Sequence, residues 1–74
     1  MAQAGAGTIT VTINGEARTL PSASTVAGLV AALGLEKAAC AVEVNQRLVP
    51  KREHAAATLS EGDRVEVVTL VGGG

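Results

Sequence analysis

The fold is decided by residues 8–20, which read TITVTINGEARTL. In the first half of this stretch β-branched apolar residues alternate with threonines, the period of two that is typical of a strand with one buried face. Asn14-Gly15 follows at once, and this dipeptide favours the two positive φ angles of a type I′ turn. The stretch therefore predicts an antiparallel β-hairpin, whose second strand ends at Pro21 because proline has no N–H to donate to a ladder.

A single helix is predicted after the hairpin. Hydroxyl-bearing residues precede it and can cap its N-terminus, and Gly34 stands where a helix favours a left-handed residue after its last turn. Gly28 lies inside the helix at a cost of about 1 kcal/mol relative to alanine, which we interpret as a close approach of the helix to the sheet. The apolar stripe, with spacing i, i+3, i+4 and i+7, consists of Val26, Leu29, Val30 and Leu33.

Three further strands are predicted in the second half of the chain, at residues 40–44, 47–49 and 64–70. The first and last strands of the chain are the most apolar, so they are the best candidates for the middle of the sheet. Laying the helix across one face gives a two-layer α+β domain with a mixed sheet of about four to five strands.

The composition excludes several classes of protein. In 74 residues there are 6 basic and 7 acidic side chains, a formal net charge of -1, and no Phe, Tyr or Trp. Without a basic field or aromatic rings on which bases can stack, we expect no nucleic-acid partner. The single cysteine has no partner for an internal disulfide and no cluster of metal ligands around it, which is typical of a reducing compartment.

The predicted organisation is a disordered lead-in at residues 1–7, a domain at residues 8–71 and a flexible reactive tail at residues 72–74. The lead-in lacks the basic and apolar regions of a secretory signal, and no apolar run approaches the roughly 20 residues of a membrane span. We therefore expect a cytoplasmic chain with no membrane contact, which is a monomer when free.

The C-terminal residues Gly72, Gly73 and Gly74 are expected to carry the function. Glycine loses more backbone entropy on ordering than any other residue and buries no side chain, so a terminal run does not stabilise the fold. It supplies a thin segment that ends in a carboxylate and can enter a narrow channel in another protein. A carboxylate is a poor electrophile, so it must first be activated, as in a mixed anhydride with AMP from ATP, before a thiol, persulfide or amine attacks it.

Several segments together resemble one family. They are the INGE turn, the helix start STVAGLV, the strand AVEVN followed by RLVP, the segment EGDRVEVV and the terminal VGGG. In this order they are similar to the sulfur carriers of thiamin biosynthesis, the ThiS family of the β-grasp, ubiquitin-like superfamily. The resemblance covers residues 8–74 and implies a β-grasp fold with a flexible C-terminal glycine tail.

The same resemblance implies that the chain is a protein co-substrate and not an enzyme. The Gly74 carboxylate is expected to be adenylated by an E1-like adenylyltransferase that uses ATP, and then converted to a thiocarboxylate with sulfur from a cysteine desulfurase. Thiazole synthase is expected to take this sulfur to build the thiazole of thiamin. Gly72 and Gly73 are expected to enter the partners' active sites, next to partner contacts at Val71 and Leu70, and no bound metal or cofactor is expected.

Three other interpretations remain open on the residues alone. A small subunit of molybdopterin synthase has similar chemistry and serves another cofactor, although a longer chain rich in aromatic residues would favour it more. A ubiquitin-like modifier joined to protein lysines needs the same activated glycine. A β-grasp domain that only binds partners needs no reactive terminus.

The remaining chemistry-bearing residues are interpreted as structural. Cys40 alternates with apolar residues of a strand, so we predict a small core side chain and not a sulfur-handling thiol. His54 stands in a charged loop with no nucleophile pattern and is predicted to be solvated. Glu61 and Asp63 flank Gly62 at the spacing of a turn, and we predict a turn and not a pair of catalytic carboxylates.

Selective docking needs more than the tail, because a few extended residues do not distinguish one C-terminus from another. We expect partners to read exposed apolar side chains as well, with Leu48, Leu70 and Val71 as candidates. Rim contacts to the activating enzyme are a further hypothesis, and its candidates are Arg18, Arg47 and Arg64.

Overall fold

A computed structural model of the chain describes residues 7–70. The strands are β1 (Thr8–Ile13), β2 (Glu16–Pro21), β3 (Cys40–Val44), β4 (Arg47–Val49) and β5 (Arg64–Thr69), the helix is α1 (Val26–Ala32), and one turn of 3-10 helix spans Lys51–Glu53. Residues 1–6 of the predicted lead-in, and residues 71–74 with the predicted tail, lie outside the described residues. Within the described part, no helix has both the length and the hydropathy needed to cross a membrane.

The strands form one five-stranded sheet in the order β2-β1-β5-β3-β4. β1 pairs with β5 in parallel, and all other neighbours are antiparallel. β5 is therefore the central strand and β1 lies beside it, which confirms the prediction that the first and last strands occupy the middle. The two hairpins, β1-β2 and β3-β4, join in the sheet through β5.

The helix packs on one side of this sheet, which we call the covered face; the other side is the open face. Val26, Leu29 and Val30 of the predicted stripe are buried, and Leu33 is half-buried against the core. Apolar residues at alternate positions of the strands form the other side of the core. This arrangement confirms the predicted α+β class. The buried apolar side chains are Val11, Ile13, Val26, Leu29, Val30, Val42, Leu59, Val65 and Val67.

Both ends of α1 are satisfied by short-range hydrogen bonds. At the start, the Thr25 Oγ1 accepts a hydrogen bond from the Gly28 N–H at 3.1 Å. At the end, Gly34 adopts a φ of 76° and the Leu35 N–H donates to the Val30 carbonyl at 3.0 Å, as expected for a left-handed cap. The interpretation of Gly28 as a close approach to the sheet is wrong, because a Cβ there faces only the capping hydroxyl, at 3.4 Å.

The segment between β4 and β5 corrects a second prediction. His54 is not solvated: it is only 7% exposed, and its Nε2 lies 3.0 Å from the Val49 carbonyl oxygen. The first N–H groups of a helix have no partner within the helix. Here the segment supplies them, because the His54 carbonyl accepts from the Ala27 N–H at 3.0 Å and the Ala57 carbonyl accepts from the Val26 N–H at 2.9 Å. This backbone pairing brings His54 against α1 and buries it.

Both hairpins turn through two residues with positive φ. Asn14 and Gly15 adopt 50° and 88° between β1 and β2, which confirms the predicted turn. Asn45 and Gln46 adopt 52° and 69° between β3 and β4. Asparagine enters this region more readily than most residues because its short side chain can hydrogen-bond locally. In each hairpin the side chain of this first turn residue also reaches β5.

Candidate functional site

Leu70 is the predicted site residue that the structure describes, and it directly follows the central strand. Its backbone N–H donates to the Ala39 carbonyl at 2.8 Å, so the β3-β5 ladder continues one step past Thr69. Its side chain is 58% exposed. The other predicted site residues, Val71, Gly72, Gly73 and Gly74, lie outside the described residues.

An exposed apolar patch lies on the open face beside this end of β5. Leu48 is 63% exposed and Val68 is 55% exposed. Val68 pairs with Ala41 across β3-β5, and Leu48 pairs with Glu43 across β3-β4, so their side chains share one face of the sheet. We call Leu48, Val68 and Leu70 the open-face patch. Val68 and Leu70 are neighbours on this face, whereas Leu48 lies two strands away in the row of Glu43 and Glu66. Isolated exposed apolar residues are normal on proteins, whereas neighbouring ones are typical of a docking surface.

Val68 was not among the residues singled out from sequence. The run from Val67 to Val71 is apolar except for Thr69, and such a run is typical of a strand buried on both faces. The alternating burial in β5 nevertheless indicates the direction of Val68, because Val65 and Val67 are buried and Glu66 between them is exposed. The same period of two, continued along β5, predicts that Val68 faces away from the core.

The other end of the open face is polar. Glu43 and Glu66 pair directly across β3-β5, so two carboxylates with the same charge stand side by side. A depression of about 290 Å³ lies there, lined by Thr12, Gly15, Glu43, Gln46, Arg64, Val65 and Glu66. The open face thus changes from charged to apolar along β5, towards the end where Leu70 lies.

The three candidate rim arginines are not brought together. Arg64 pairs with Thr12 and belongs to the open face. Arg18 pairs with the buried Val11, so its register position is that of the covered face, at the β2 edge. Arg47 pairs with Val44 at the opposite, β4 edge. A single partner surface on the open face reaches Arg64 alone among the three by register.

Cys40 packs against the hydrophobic core, as predicted. It is half-buried and in contact with the buried cluster on the covered face, although its register partner Thr69 is close to the end of β5. The thiol and the open-face patch are therefore on opposite sides of the sheet. The direction of the Cys40 side chain therefore gives no support for a sulfur-handling role of this thiol.

Glu61 and Asp63 have structural partners that confirm the predicted turn. Asp63 Oδ2 accepts from the Ser60 N–H at 2.8 Å, and Gly62 adopts a φ of 84°. Glu61 Oε1 accepts from the Thr10 N–H at 2.9 Å, in β1. Both carboxylates are thus acceptors that hold the turn and the neighbouring strand.

The open-face patch consists of apolar side chains, whose burial against a partner is favourable. Leu48, Val68 and Ala41 carry no group that titrates or attacks an electrophile. Among residues 7–70, no three His, Cys, Asp or Glu side chains are grouped so that they could hold a metal ion. The charged groups nearest the patch by register are Glu43, which pairs with Leu48, and Glu66, two residues before Val68. The predicted tail at residues 72–74 follows Leu70 after Val71.

Comparisons with known proteins identify the family of the chain. The ThiS family matches residues 11–74. A thiazole synthase from Paramagnetospirillum magneticum is 40% identical over 62 residues, which are 84% of this chain and 19% of that enzyme. A thiazole synthase from Magnetococcus marinus is 37% identical over 62 residues, with the same coverage of 84% and 19%. The chain therefore spans about a fifth of the length of these two relatives.

The structural comparison confirms the fold and its family. The crystal structure of the thiamine biosynthesis protein ThiS from Geobacter metallireducens superposes with a TM-score of 0.75 at 30% identity, over 89% of this chain and 100% of that one. The β-grasp expectation is thereby confirmed. With a family match over most of its length and a close structural relative, the chain belongs to the ThiS family.

Proposed function

We propose that this chain is the sulfur carrier of thiamin biosynthesis and that the Gly74 carboxylate carries the sulfur. Membership of the ThiS family supports the carrier role. The match to one region of proteins named thiazole synthase supports that enzyme as the acceptor of the sulfur. In this proposal the chain is a substrate for other proteins and catalyses no step itself.

The proposed reaction begins with activation of the tail. The Gly74 carboxylate attacks the α-phosphorus of ATP on an E1-like adenylyltransferase, and pyrophosphate leaves. The terminal sulfur of a persulfide made by a cysteine desulfurase then displaces AMP, which gives an acyl disulfide. A second thiol attacks the S–S bond of this intermediate, so that the thiocarboxylate leaves and a disulfide forms on the partner or on an added thiol reductant. Glycine suits this position because it places no side chain beside the acyl carbon that is attacked. Thiazole synthase finally receives the sulfur.

One observation of the fold carries the proposal: the central strand ends at an exposed residue beside an exposed apolar patch. Leu70 is still paired to Ala39, so the sheet holds the chain up to two residues before the predicted tail. From Leu70 to Gly74 an extended chain spans at most about 16 to 18 Å, which is enough to enter an active site while the domain stays outside. A rigid domain joined to a side-chain-free segment is the geometry that a carrier requires.

The open-face patch is proposed as the surface that partners contact. Leu48, Val68 and Leu70 are large exposed apolar residues of the open face. Val68 and Leu70 lie at the end of β5, and Leu48 lies at the β4 edge in the row of Glu43 and Glu66. Burial of such side chains against a partner stabilises a complex by about 1.5 to 3 kcal/mol for each full burial. Recognition of the patch would distinguish this chain from other proteins with glycine-rich C-termini.

The central test is chemical conversion of the intact chain. Incubation with the adenylyltransferase, ATP, a cysteine desulfurase, cysteine and a thiol reductant is expected to raise the intact mass by the difference between one sulfur and one oxygen. Deletion of Gly73 and Gly74 is expected to abolish this gain. Cys40→Ala is the matched control, because it removes the chain's one thiol and leaves the tail intact; it is expected to gain the sulfur as the parent does.

Two results would contradict the proposal. An unchanged mass, under conditions that convert an established carrier, would remove the carrier function. Loss of sulfur uptake in Cys40→Ala, with the fold intact by circular dichroism, would move the sulfur site from the tail to the thiol. Formation of conjugates with lysines of other proteins, in place of a thiocarboxylate, would favour the modifier interpretation.

A further inference from the structure

The two sides of β5 are paired to different extents. Towards β3 the ladder runs from Val44↔Val65 to Cys40↔Thr69. Towards β1 the register ends at Ile13↔Val65, because β1 turns away at Asn14. Among residues 7–70, no strand therefore lies on that side of the second half of β5, which leads to Leu70.

The side chain of Asn14 forms the hydrogen bonds to β5 that a neighbouring strand would otherwise form. Its Oδ1 accepts from the Val67 N–H at 2.8 Å, and its Nδ2 donates to the Val67 carbonyl at 3.1 Å. The Asn14 backbone N–H also donates to the Val65 carbonyl at 2.9 Å. One residue thus continues the β1-β5 ladder for another step, through an amide with the same donor and acceptor as a peptide group.

Few other residues can fill this position. The φ of 50° at Asn14 favours glycine, asparagine or aspartate. Glycine accepts the backbone angle but has no amide, and an ionised aspartate has no donor and would place an oxygen against the Val67 carbonyl. Asparagine alone among the three satisfies the turn and both polar groups of Val67.

The second hairpin provides a matched comparison. Asn45 has a φ of 52°, and its backbone N–H donates to the Arg64 carbonyl at 2.7 Å. Its Oδ1 accepts from the Arg64 N–H at 3.0 Å, while its Nδ2 donates to Asp63 Oδ1 at 3.0 Å. The two asparagines therefore contact β5 in similar ways, but Asn45 contacts its first residue and Asn14 the half that leads to the tail.

We propose that Asn14 is a positioning residue for the C-terminal tail: its amide holds the second half of β5 so that the chain leaves the sheet at a fixed place beside the open-face patch. This inference rests on the proposed function, because it concerns delivery of Gly74 to the activating enzyme. Asn14 itself touches no reacting atom. Its effect acts through Val67 and the paired end of β5.

The test compares Asn14→Gly with Asn45→Gly, since both changes keep the positive φ and remove one side-chain amide. In the free protein, Asn14→Gly is expected to accelerate hydrogen exchange at the Val67 and Leu70 amides, and Asn45→Gly only at Arg64. With the adenylyltransferase, Asn14→Gly is expected to lower kcat for adenylation about five- to tenfold with KM changed less than about twofold, because the patch still docks while the tail is less often in place. Asn45→Gly is expected to change kcat less than about twofold.

Asn14→Asp separates the two hydrogen bonds, because it keeps an acceptor for the Val67 N–H and loses the donor. It is expected to lower kcat as Asn14→Gly does. Equal kcat values for Asn14→Gly and Asn45→Gly, at a temperature where both are folded, would overturn the inference. Unchanged exchange at Val67 and Leu70 in Asn14→Gly would overturn it as well, and this measurement needs no activating enzyme. Failure of the parent chain to be adenylated would instead remove the proposed function.

Discussion

The covered and open faces of the sheet are formed by the same strands but have different roles, one in packing the core and the other in presenting side chains to solvent. On β5, Val67 is 8% exposed and packs on the core, whereas Val68 is 55% exposed on the opposite side. These two adjacent valines have the same chemistry and differ only in the direction of the side chain. The comparison teaches that an apolar residue in this domain stabilises the fold on one face and is available to a partner on the other.

The division of roles suits the proposed function, in which several enzymes bind the chain in turn. The covered face holds the core in one layer, so the open face can change its contacts without unfolding the domain. Leu70 lies at the end of the apolar part of this open face, two residues before the predicted tail. Substitutions on the two faces should therefore separate stability from partner processing.

The largest effect is expected from Leu29→Ala, which truncates the helix side of the covered face. Leu29 is buried against the core, so the change loses transfer free energy and leaves a cavity, and we expect the free energy of unfolding to fall by about 3 to 4 kcal/mol. Urea unfolding followed by far-ultraviolet circular dichroism measures it, since the chain has no aromatic residues for fluorescence. Leu29→Met, which conserves volume, is the control, with an expected loss under about 1.5 kcal/mol. Equal losses for both would contradict a tightly packed core.

An intermediate effect is expected from His54→Ala. A carbonyl only accepts hydrogen bonds, so Nε2 carries the proton in its contact with Val49, and removal of the ring leaves that carbonyl without its partner. We expect the free energy of unfolding to fall by about 1 to 3 kcal/mol, measured by the same urea unfolding. Ala55→Gly, at the exposed neighbour, is a control for general sensitivity of the segment. A loss no greater than that of the control would restore the solvated interpretation of His54.

The smallest effect on stability, and the sharpest test of the comparison, is expected from Val68→Ala. Because Val68 is exposed, we expect a change in the free energy of unfolding within about 0.5 kcal/mol, together with a higher KM for the chain in adenylation. Val67→Ala is the matched variant one residue away, and its loss of stability should be about 2 kcal/mol with KM unchanged in the folded protein. Equal stability losses, or an unchanged KM for Val68→Ala, would contradict the division between the faces.

The sequence predicted the elements well because each carries a local signal. The hairpin follows from the alternation before Asn14 and from the Asn-Gly turn, and the helix stripe and its Gly34 end follow from spacing. The central place of β5 followed from its apolar composition. Periodicity and turn chemistry depend on neighbours along the chain, so they are visible without coordinates.

What the sequence did not reveal depends on contacts between distant residues. His54 is buried because the segment after β4 pairs with the start of α1, and no local pattern encodes that pairing. The amide of Asn14 reaches Val67 across 53 positions of sequence, so its second role was hidden behind its turn propensity. Gly28 was assigned a packing reason, yet its place opposite the Thr25 hydroxyl shows that the sheet does not require it.

The position of β5 between the two hairpins has a consequence for folding of the protein. Among the described strands, β1 and β3 are joined in the sheet through β5, which pairs with β1 across about 50 positions of sequence, so the sheet is complete only when this long-range pairing has formed. Long-range pairing of this kind is slow compared with helix formation. In the proposed function, an enzyme that binds both the open-face patch and the tail would therefore select chains in which the whole sheet has formed.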